Sequence, residues 1–304
     1  MNAGWLCGAE LNGKKFSAME IVQLLIYGIV LGSIITLGAI GLSLIYGIIR
    51  FANFAHGDMM MAGAYIALFF VVTVGLPMFV AFPLAMAGGA LLAVTIDQLL
   101  YRRLRRTSPV ILLISSFGVA LVLRSLIQLI WGPSIHVYEQ GIKLPIRFWG
   151  LGIKPDQLYI LGGSVALVAA LHLFLKYTRI GKAMRALSDN SALAQASGID
   201  TERVIIWTWV IGASLTAAAG IFLAIDTQLH PVMGWRLLLP LFAAAILGGI
   251  GKPYGAIAGG MAIGIAQEMS TLVITPAYKP AVAFALMVII LLVRPAGLLG
   301  GGTK

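Results

Sequence analysis

Acidic residues are scarce in this chain: eleven Asp and Glu stand against twenty-one Lys and Arg, and charged residues of both signs make up only 11% of 304 positions. An ordinary soluble domain carries roughly a quarter, so the composition excludes one. Cysteine is nearly absent as well. The single Cys7 excludes an intrachain disulfide and any CxxC or zinc-ligand framework. The four histidines, His56, His136, His172 and His230, are scattered with no acid at metal-ligand spacing. Neither a zinc hydrolase nor a Ser/His/Asp enzyme is indicated, and no metal site or resident cofactor is expected. A phosphate-binding loop is missing too. GxxxxGK must be followed by Ser or Thr, whereas Gly251 and Lys252 precede Pro253, and Gly181 and Lys182 precede Ala183. The N-terminus has no basic n-region ahead of an apolar stretch, so residues 1–18 read as a tail and not as a cleaved leader.

What is present is apolar: 60% of residues are hydrophobic. Runs near the length of about 20 residues that crosses a bilayer fall at 19–49, 58–74, 77–100, 109–131, 157–177, 203–224, 235–250, 255–274 and 277–293. The fold class is therefore all-α, a polytopic membrane bundle of about 8–10 transmembrane or half-membrane helices. The first run is long enough for either one tilted helix or two short ones bent near Gly32 and Ser33. Pro240 inside the short run 235–250 implies a kinked or half-membrane helix. Among the 36 glycines, four-residue spacings such as Gly28 with Gly32, Gly212 with Gly220 through Thr216, and Gly260 with Gly264 suit close helix packing in lipid.

The net charge of +10 lies in short loops, the pattern of topology signals and not of a nucleic-acid surface. Arg102, Arg103, Arg105, Arg106, Lys176, Arg179, Lys182, Arg185, Arg203, Lys252, Arg294 and Lys304 collect on one face. Lys143, Arg147, Lys154, Arg236 and Lys279 collect on the other. The first face is expected to be cytoplasmic, with the C-terminus inside and the loop 132–156 outside. Trp131, Trp149 and Trp235 then fall near the outer interface and Trp207 and Trp209 near the inner one. Which side the chain starts on is left open by this count.

The densest polar cluster inside apolar surroundings is IRFANFAHGDMMMAGAY, residues 49–65. A central Asp or Arg costs about 2.5 to 3.5 kcal/mol on insertion scales, so such groups face a cavity, a partner helix or the interface. Asn53, His56 and Asp58 have two readings. Either they line a translocation route at a helix break, or Asn53 and Asp58 cap helix ends with His56 as their hydrogen-bond partner. Arg124 and Glu268, isolated in apolar spans at matched depth, suggest a structural ion pair, with snorkelling of Arg124 as the rival. Asp97 reads as a partner for the nearby arginines. The Gly-rich stretch 247–260 stands as the positional counterpart of the break near residue 53.

The loop 177–203 is patterned. Ile180, Met184 and Leu187, then Leu193 and Ala196, fall at helical spacing and Gly198 supplies a stop, so a short amphipathic helix or helix pair is expected. It is either a surface for a soluble partner or a solvated basic loop.

NFAHGD at 53–58 followed by MMMAGAY resembles the signature of the permease subunits of branched-chain amino acid ABC importers, the LivH type. ISSFGVALVLRSLIQLIWGP at 114–133, TRIGKAMRALSDNSALAQASGID at 178–200, LGGIGKPYGAIAGGMAIGIAQE at 247–268 and LLVRPAGLLG at 291–300 are similar to that family's patterns in the same order. The resemblance implies one ABC importer transmembrane domain over 19–304, in a multi-pass protein of a bacterial or archaeal plasma membrane. It also implies that ATP and Mg are bound on two separate cytoplasmic ATPase subunits and not by this chain, which would not be an enzyme. A second related permease and an extracytoplasmic substrate-binding protein complete the implied assembly, with no nucleic acid. Arg179, Gly181, Lys182, Arg185, Asp189, Asn190 and Gly198 would form the joint to the ATPase. The implied cargo is branched-chain or other hydrophobic amino acids. The same architecture serves urea and short-chain amides, and Asp58 stands where the family often has Glu. An ion-coupled carrier acting alone is the alternative from a different class.

Overall fold

The computed structural model describes residues 10–11, 14–15, 18–105, 107–138, 145–148, 151–294 and 297–298. Trp149, Arg106, Lys143, Lys304 and most of the expected N-terminal tail lie outside these residues. Among the described residues the architecture is all-α, with only two short antiparallel hairpins, Glu10–Leu11 with Lys14–Lys15 and Ile146–Phe148 with Leu151–Ile153.

The helices are α1 (Ala18–Ile49), α2 (His56–Leu68, continued by a π turn Phe69–Thr73), α3 (Met78–Ile96, continued by a π turn Asp97–Tyr101 and Arg102–Leu104) and α4 (Pro109–Trp131). They continue with α5 (Pro155–Tyr177), α6 (Arg179–Asp189), α7 (Ser191–Ala196), α8 (Thr201–Asp226), α9 (Met233–Gly248), α10 (Pro253–Met269) and α11 (Lys279–Val293). Seven helical spans are long and apolar enough to cross a membrane, and α9 is a shorter apolar helix.

The first run is one unbroken helix. Ser33 returns its hydroxyl to the Ile29 carbonyl at 2.8 Å, and Gly32 sits against the backbone of α10 at Met261, so the small residues there serve packing and no bend. Residues 32–45 of α1 are buried without a break, and Ile34, Ile35, Leu37 and Ala39 among them point to different sides of the helix. A helix apolar all round belongs in the middle of a bundle, and α1 packs against α10, α8 and α9 around it. Gly28 and Gly32 on α1 meet Gly264 and Ile265 on α10, as their four-residue spacing requires. The outer helices α3, α4, α5 and α11 leave large apolar side chains exposed, among them Leu91, Leu129, Val165 and Leu292.

The ends of α1 define the two ends of the bundle. Gln23 exchanges hydrogen bonds with Gly152 at 2.9 and 3.0 Å. Arg50 donates to the Ser188 carbonyl at 3.1 Å. The chain therefore enters α1 from the end that holds the hairpin 146–153 and leaves it at the Arg-rich end. At that end Arg105 binds Asp97 and, at 3.1 Å, Glu202, while Arg102 lies 3.3 Å from Glu202. This network ties the end of α3 to the start of α8 and makes Asp97 a partner of the arginines.

Two breaks organise the interior, and they have the same length. Residues 50–55 separate α1 from α2, and residues 227–232 separate α8 from α9. The first re-enters from the Arg-rich end and the second from the opposite end, where His136 and Leu229 form an antiparallel bridge. The two helices that follow then run in opposite directions, as in transporters built from inverted repeats. The counterpart of the first break is thus 227–232 and not 247–260. Residues 249–252 form a tight turn at the Arg-rich end, with φ of +104° at Gly249 and +82° at Gly251, a backbone that glycine adopts without a Cβ clash.

Candidate functional site

The first break is held by side chains. The Asn53 carboxamide oxygen accepts the Ala55 N–H at 3.0 Å and the Tyr101 hydroxyl at 3.3 Å, while the Phe54 N–H donates to Ser116 Oγ at 3.0 Å. Backbone entering a membrane interior must find its partners within the protein, and these bonds supply them. Asn53 starts the helix through an Asx-type turn. The residue at the N-cap itself is Ala55, which has no capping side chain.

His56 ties three helices together. Its Nε2 lies 2.9 Å from the Gly38 carbonyl on α1 and 3.2 Å from Thr216 Oγ on α8. A carbonyl only accepts, so Nε2 carries the proton and Nδ1 is bare; Nδ1 has no partner. Thr216 in turn donates to the Gly212 carbonyl at 2.7 Å. Gly38 precedes the end of α1 at Ile49 by eleven residues, about 16 Å at 1.5 Å per residue, which is about half of a 30 Å hydrocarbon core. His56 is therefore a mid-depth residue.

Next to it the two re-entrant helices meet. Gly57 on α2 and Gly234 on α9 are in backbone contact, and a Cβ on either would fall onto the carbonyl of the other. Trp235 follows at the same depth, so it belongs to the interior and not to the outer interface: the break at 227–232 carries the chain inward before α9 begins.

Asp58 forms a two-point ion pair with Arg124, from Nε and Nη2 at 3.0 Å each. The guanidinium also lies 5.0 Å from the centre of the Trp235 ring. Arg124 does not pair with Glu268. The Glu268 carboxylate accepts from Lys279 Nζ at 2.6 Å, across the turn between α10 and α11. Depth counted along two helices does not tell whether they are neighbours: α4 packs on α2, whereas α10 packs on α1, α9 and α11. Snorkelling is equally absent, because Asp58 holds Arg124 at depth. Asp58, His56 and Asn53 are all fully buried, at 0% exposure. Arg124 is the member of the cluster with an exposed edge, 17% of its side chain.

The residues that sequence reading did not assign to this cluster are Tyr101, Ser116, Thr216 and Trp235. One partial signal was available, since Asp58 and Arg124 are opposite charges in two of the apolar stretches. The others depend on which helices touch.

The patterned loop folds as two short helices at the Arg-rich end. Thr178 Oγ accepts the Gly181 N–H at 2.9 Å and caps α6, and Asn190 Oδ1 accepts the Leu193 N–H at 3.0 Å and caps α7. Gly198, at φ +82°, ends α7 in the left-handed conformation. Met184, Leu187 and Ala194 are buried, and Gly181 is packed tightly on Phe174 and Leu175. Arg179, Lys182, Arg185, Asp189, Asn190 and the apolar Leu193 face outward. Behind α6 lies a cavity of about 340 Å³ bounded by Leu44, Ile48, Met184, Arg185, Lys252 and Tyr254. Outside the membrane spans, burial pushes the Tyr138 phenol well above its usual range. That hydroxyl donates to the Ala64 carbonyl at 2.9 Å and pins the segment after α4 onto α2.

The profile of the family described as "Branched-chain amino acid transport system / permease component" matches residues 24–291. The permease protein LivH of the high-affinity branched-chain amino acid transport system of Escherichia coli (strain K12) is 34% identical, over 93% of this chain and 96% of that protein. The corresponding permease BraD of Pseudomonas aeruginosa is also 34% identical, over 92% and 95%. Among solved structures, PsaBC from Streptococcus pneumoniae in complex with Fab superposes with a TM-score of 0.53 at 17% identity, covering 91% of this chain and 92% of that one. At that identity the likeness concerns the fold alone.

Proposed function

This chain belongs to the family of permease components of branched-chain amino acid transport systems, and from that premise we propose that it forms the membrane path of an ATP-driven importer for branched-chain or other hydrophobic amino acids. The observation that carries this is the 34% identity to LivH along nearly the full length of both chains. A multi-pass inner-membrane protein of this kind is a permease component and not an enzyme. Its energy comes from ATP hydrolysed on other subunits.

The finer parts of the reading concern partners and orientation. The Arg-rich end faces the cytoplasm, with the C-terminus on that side, by the excess of Lys and Arg there. The exposed basic face of α6 and the exposed Leu193 of α7 dock on an ATPase subunit, one for each of two permeases. The opposite end receives a substrate-binding protein. Support for the docking surface is its amphipathic build: one face is anchored in the bundle, and the other presents charges and a large apolar side chain to solvent.

The test is ATPase activity in the complex purified through this chain. ATP-hydrolysing subunits are expected to co-purify and to be stimulated by loaded binding protein. Arg185→Glu is expected to lower the stimulation about tenfold or more, since it reverses a charge in the exposed basic face proposed to dock, while membrane insertion stays intact. Unaltered stimulation in Arg185→Glu would remove α6 from the joint, and absence of any co-purifying ATPase would favour a carrier acting alone.

A further inference from the structure

One exposed face of the bundle combines features that lipid does not tolerate. Phe117, Leu121 and Arg124 follow one another at four- and three-residue spacing and so share a face of α4. Trp235 and Leu239 share a face of α9 in the same way. The two rows abut: the Phe117 and Trp235 rings meet edge to face at 5.7 Å, and the Arg124 guanidinium lies over the Trp235 ring at 5.0 Å. Phe117, Leu121, Trp235 and Leu239 are each more than a third exposed, at 41%, 48%, 38% and 51%. Among them the Arg124 side chain keeps 17% of its surface exposed. Asp58 occupies Nε and Nη2, which leaves the N–H groups of Nη1 for a further acceptor.

A charged group at this depth faces a wet cavity or protein and not hydrocarbon. The apolar residues around it exclude a generic water-filled pore lined by polar groups. We infer that this α4–α9 face is a wall of the translocation route, on which Arg124 receives the carboxylate of a zwitterionic amino acid while Trp235, Phe117 and Leu121 receive its apolar side chain. Arginine suits the task because its planar fork can hold one carboxylate through two nitrogens and still offer a third to another. Asp58 keeps the fork oriented and its charge balanced, so that Arg124 forms a passing contact and not a trap. Asp58 is itself fully buried and acts as a positioning residue. Cargo with no apolar side chain would leave the Trp235 surface uncovered, which matches the face to large aliphatic amino acids. The inference rests on the reading of the chain as an amino acid permease.

The experiment uses the intact importer complex turning over ATP in proteoliposomes, with Cys7 replaced by Ser so that a single introduced thiol reports on this chain. Leu121→Cys and Leu239→Cys are compared with Leu91→Cys and Val165→Cys, which lie on other exposed faces. The probes are an anionic and a cationic methanethiosulfonate, both water-soluble, and N-ethylmaleimide, which partitions into lipid. Leu121→Cys and Leu239→Cys are expected to react with the water-soluble probes, and the two controls with N-ethylmaleimide only. The anionic probe is expected to gain about threefold to tenfold over the cationic one from the neighbouring guanidinium, and Arg124→Gln to erase that preference. L-Leucine is expected to slow the labelling, and leucinamide, which lacks the carboxylate, to leave it unchanged.

Should Arg124→Gln fail to assemble, Asp58→Asn with Arg124→Gln removes both charges together and is expected to erase the same preference. Silence of both cysteines toward the water-soluble probes would overturn the inference, and so would a preference that survives the loss of Arg124. ATP-driven leucine uptake by the unsubstituted complex, measured in the same vesicles, separates the two failures. Uptake with unreactive cysteines removes only this wall, whereas no uptake removes the amino acid permease reading beneath it.

Discussion

Arg124→Leu is expected to be among the most damaging single substitutions in the bundle. It leaves the fully buried Asp58 carboxylate without the guanidinium that now binds both of its oxygens. Removing one partner of a buried pair costs about 3 to 5 kcal/mol, because the remaining charge is uncompensated, whereas replacing both by apolar groups is often near neutral. Asp58→Leu with Arg124→Leu is therefore expected to recover most of the folded yield and thermal stability in mild detergent that Arg124→Leu loses. Arg124→Leu with Glu268→Leu is expected to be merely additive, since Glu268 is bound to Lys279 and the two sites share no partner. Rescue by Glu268→Leu, or an Arg124→Leu protein as stable as the parent, would contradict the pairing. Recovery of stability need not restore transport, because the double variant also lacks the guanidinium on the α4–α9 face.

The second large effect is expected at Gly234. Its α-carbon lies against the Gly57 carbonyl where the two re-entrant helices cross. Any side chain must push one helix off the other, and both are fixed by the packing around them. Overpacking of a filled interior costs about 1 to 3 kcal/mol and occasionally more. Displacing backbone from backbone belongs at the upper end, so Gly234→Val is expected to give little monodisperse protein. Gly118→Ala and Gly162→Ala are the matched controls: nothing lies within 4 Å of a Cβ at either. They are expected to keep or slightly raise the thermal midpoint, since alanine favours helix by about 1 kcal/mol over glycine. If Gly234→Val melts with the controls, the two half-helices do not meet as described.

These two sites mark where the sequence was legible and where it was not. Helical spans are long-range hydrophobic runs, and composition alone locates them within a few residues; α4 was read to its end residues, 109–131. The helix at 179–189 was legible from the spacing of Ile180, Met184 and Leu187, and the end of the helix at 191–196 from Gly198; the apolar positions expected there, Leu193 and Ala196, are exposed, and Ala194 is the buried one. Local chemistry also pointed to Asn53 at a helix start. The second break was not legible. TQLHPV at 227–232 lies between apolar runs like any polar loop, and nothing in it states that the chain turns inward and not outward. Instead the Gly-rich 247–260 drew attention, although its glycines serve a surface turn and a close approach of α9 to α10. Trp235 was misplaced for the same reason, because its depth follows from that break. The Arg124 partner required knowing that α2 begins at mid-depth, which brings Asp58 to α4. Periodicity describes one helix at a time, and partners are set by the neighbours it chooses.

As the membrane path of an ATP-driven amino acid importer, this chain is expected to support transport that needs ATP. The most direct measurement is L-leucine uptake into proteoliposomes holding the chain with its co-purifying subunits and binding protein, with and without enclosed ATP. Accumulation that needs ATP, and that urea neither competes with nor replaces, is the expected result. Uptake by this chain alone under an ion gradient, indifferent to ATP, would contradict the account.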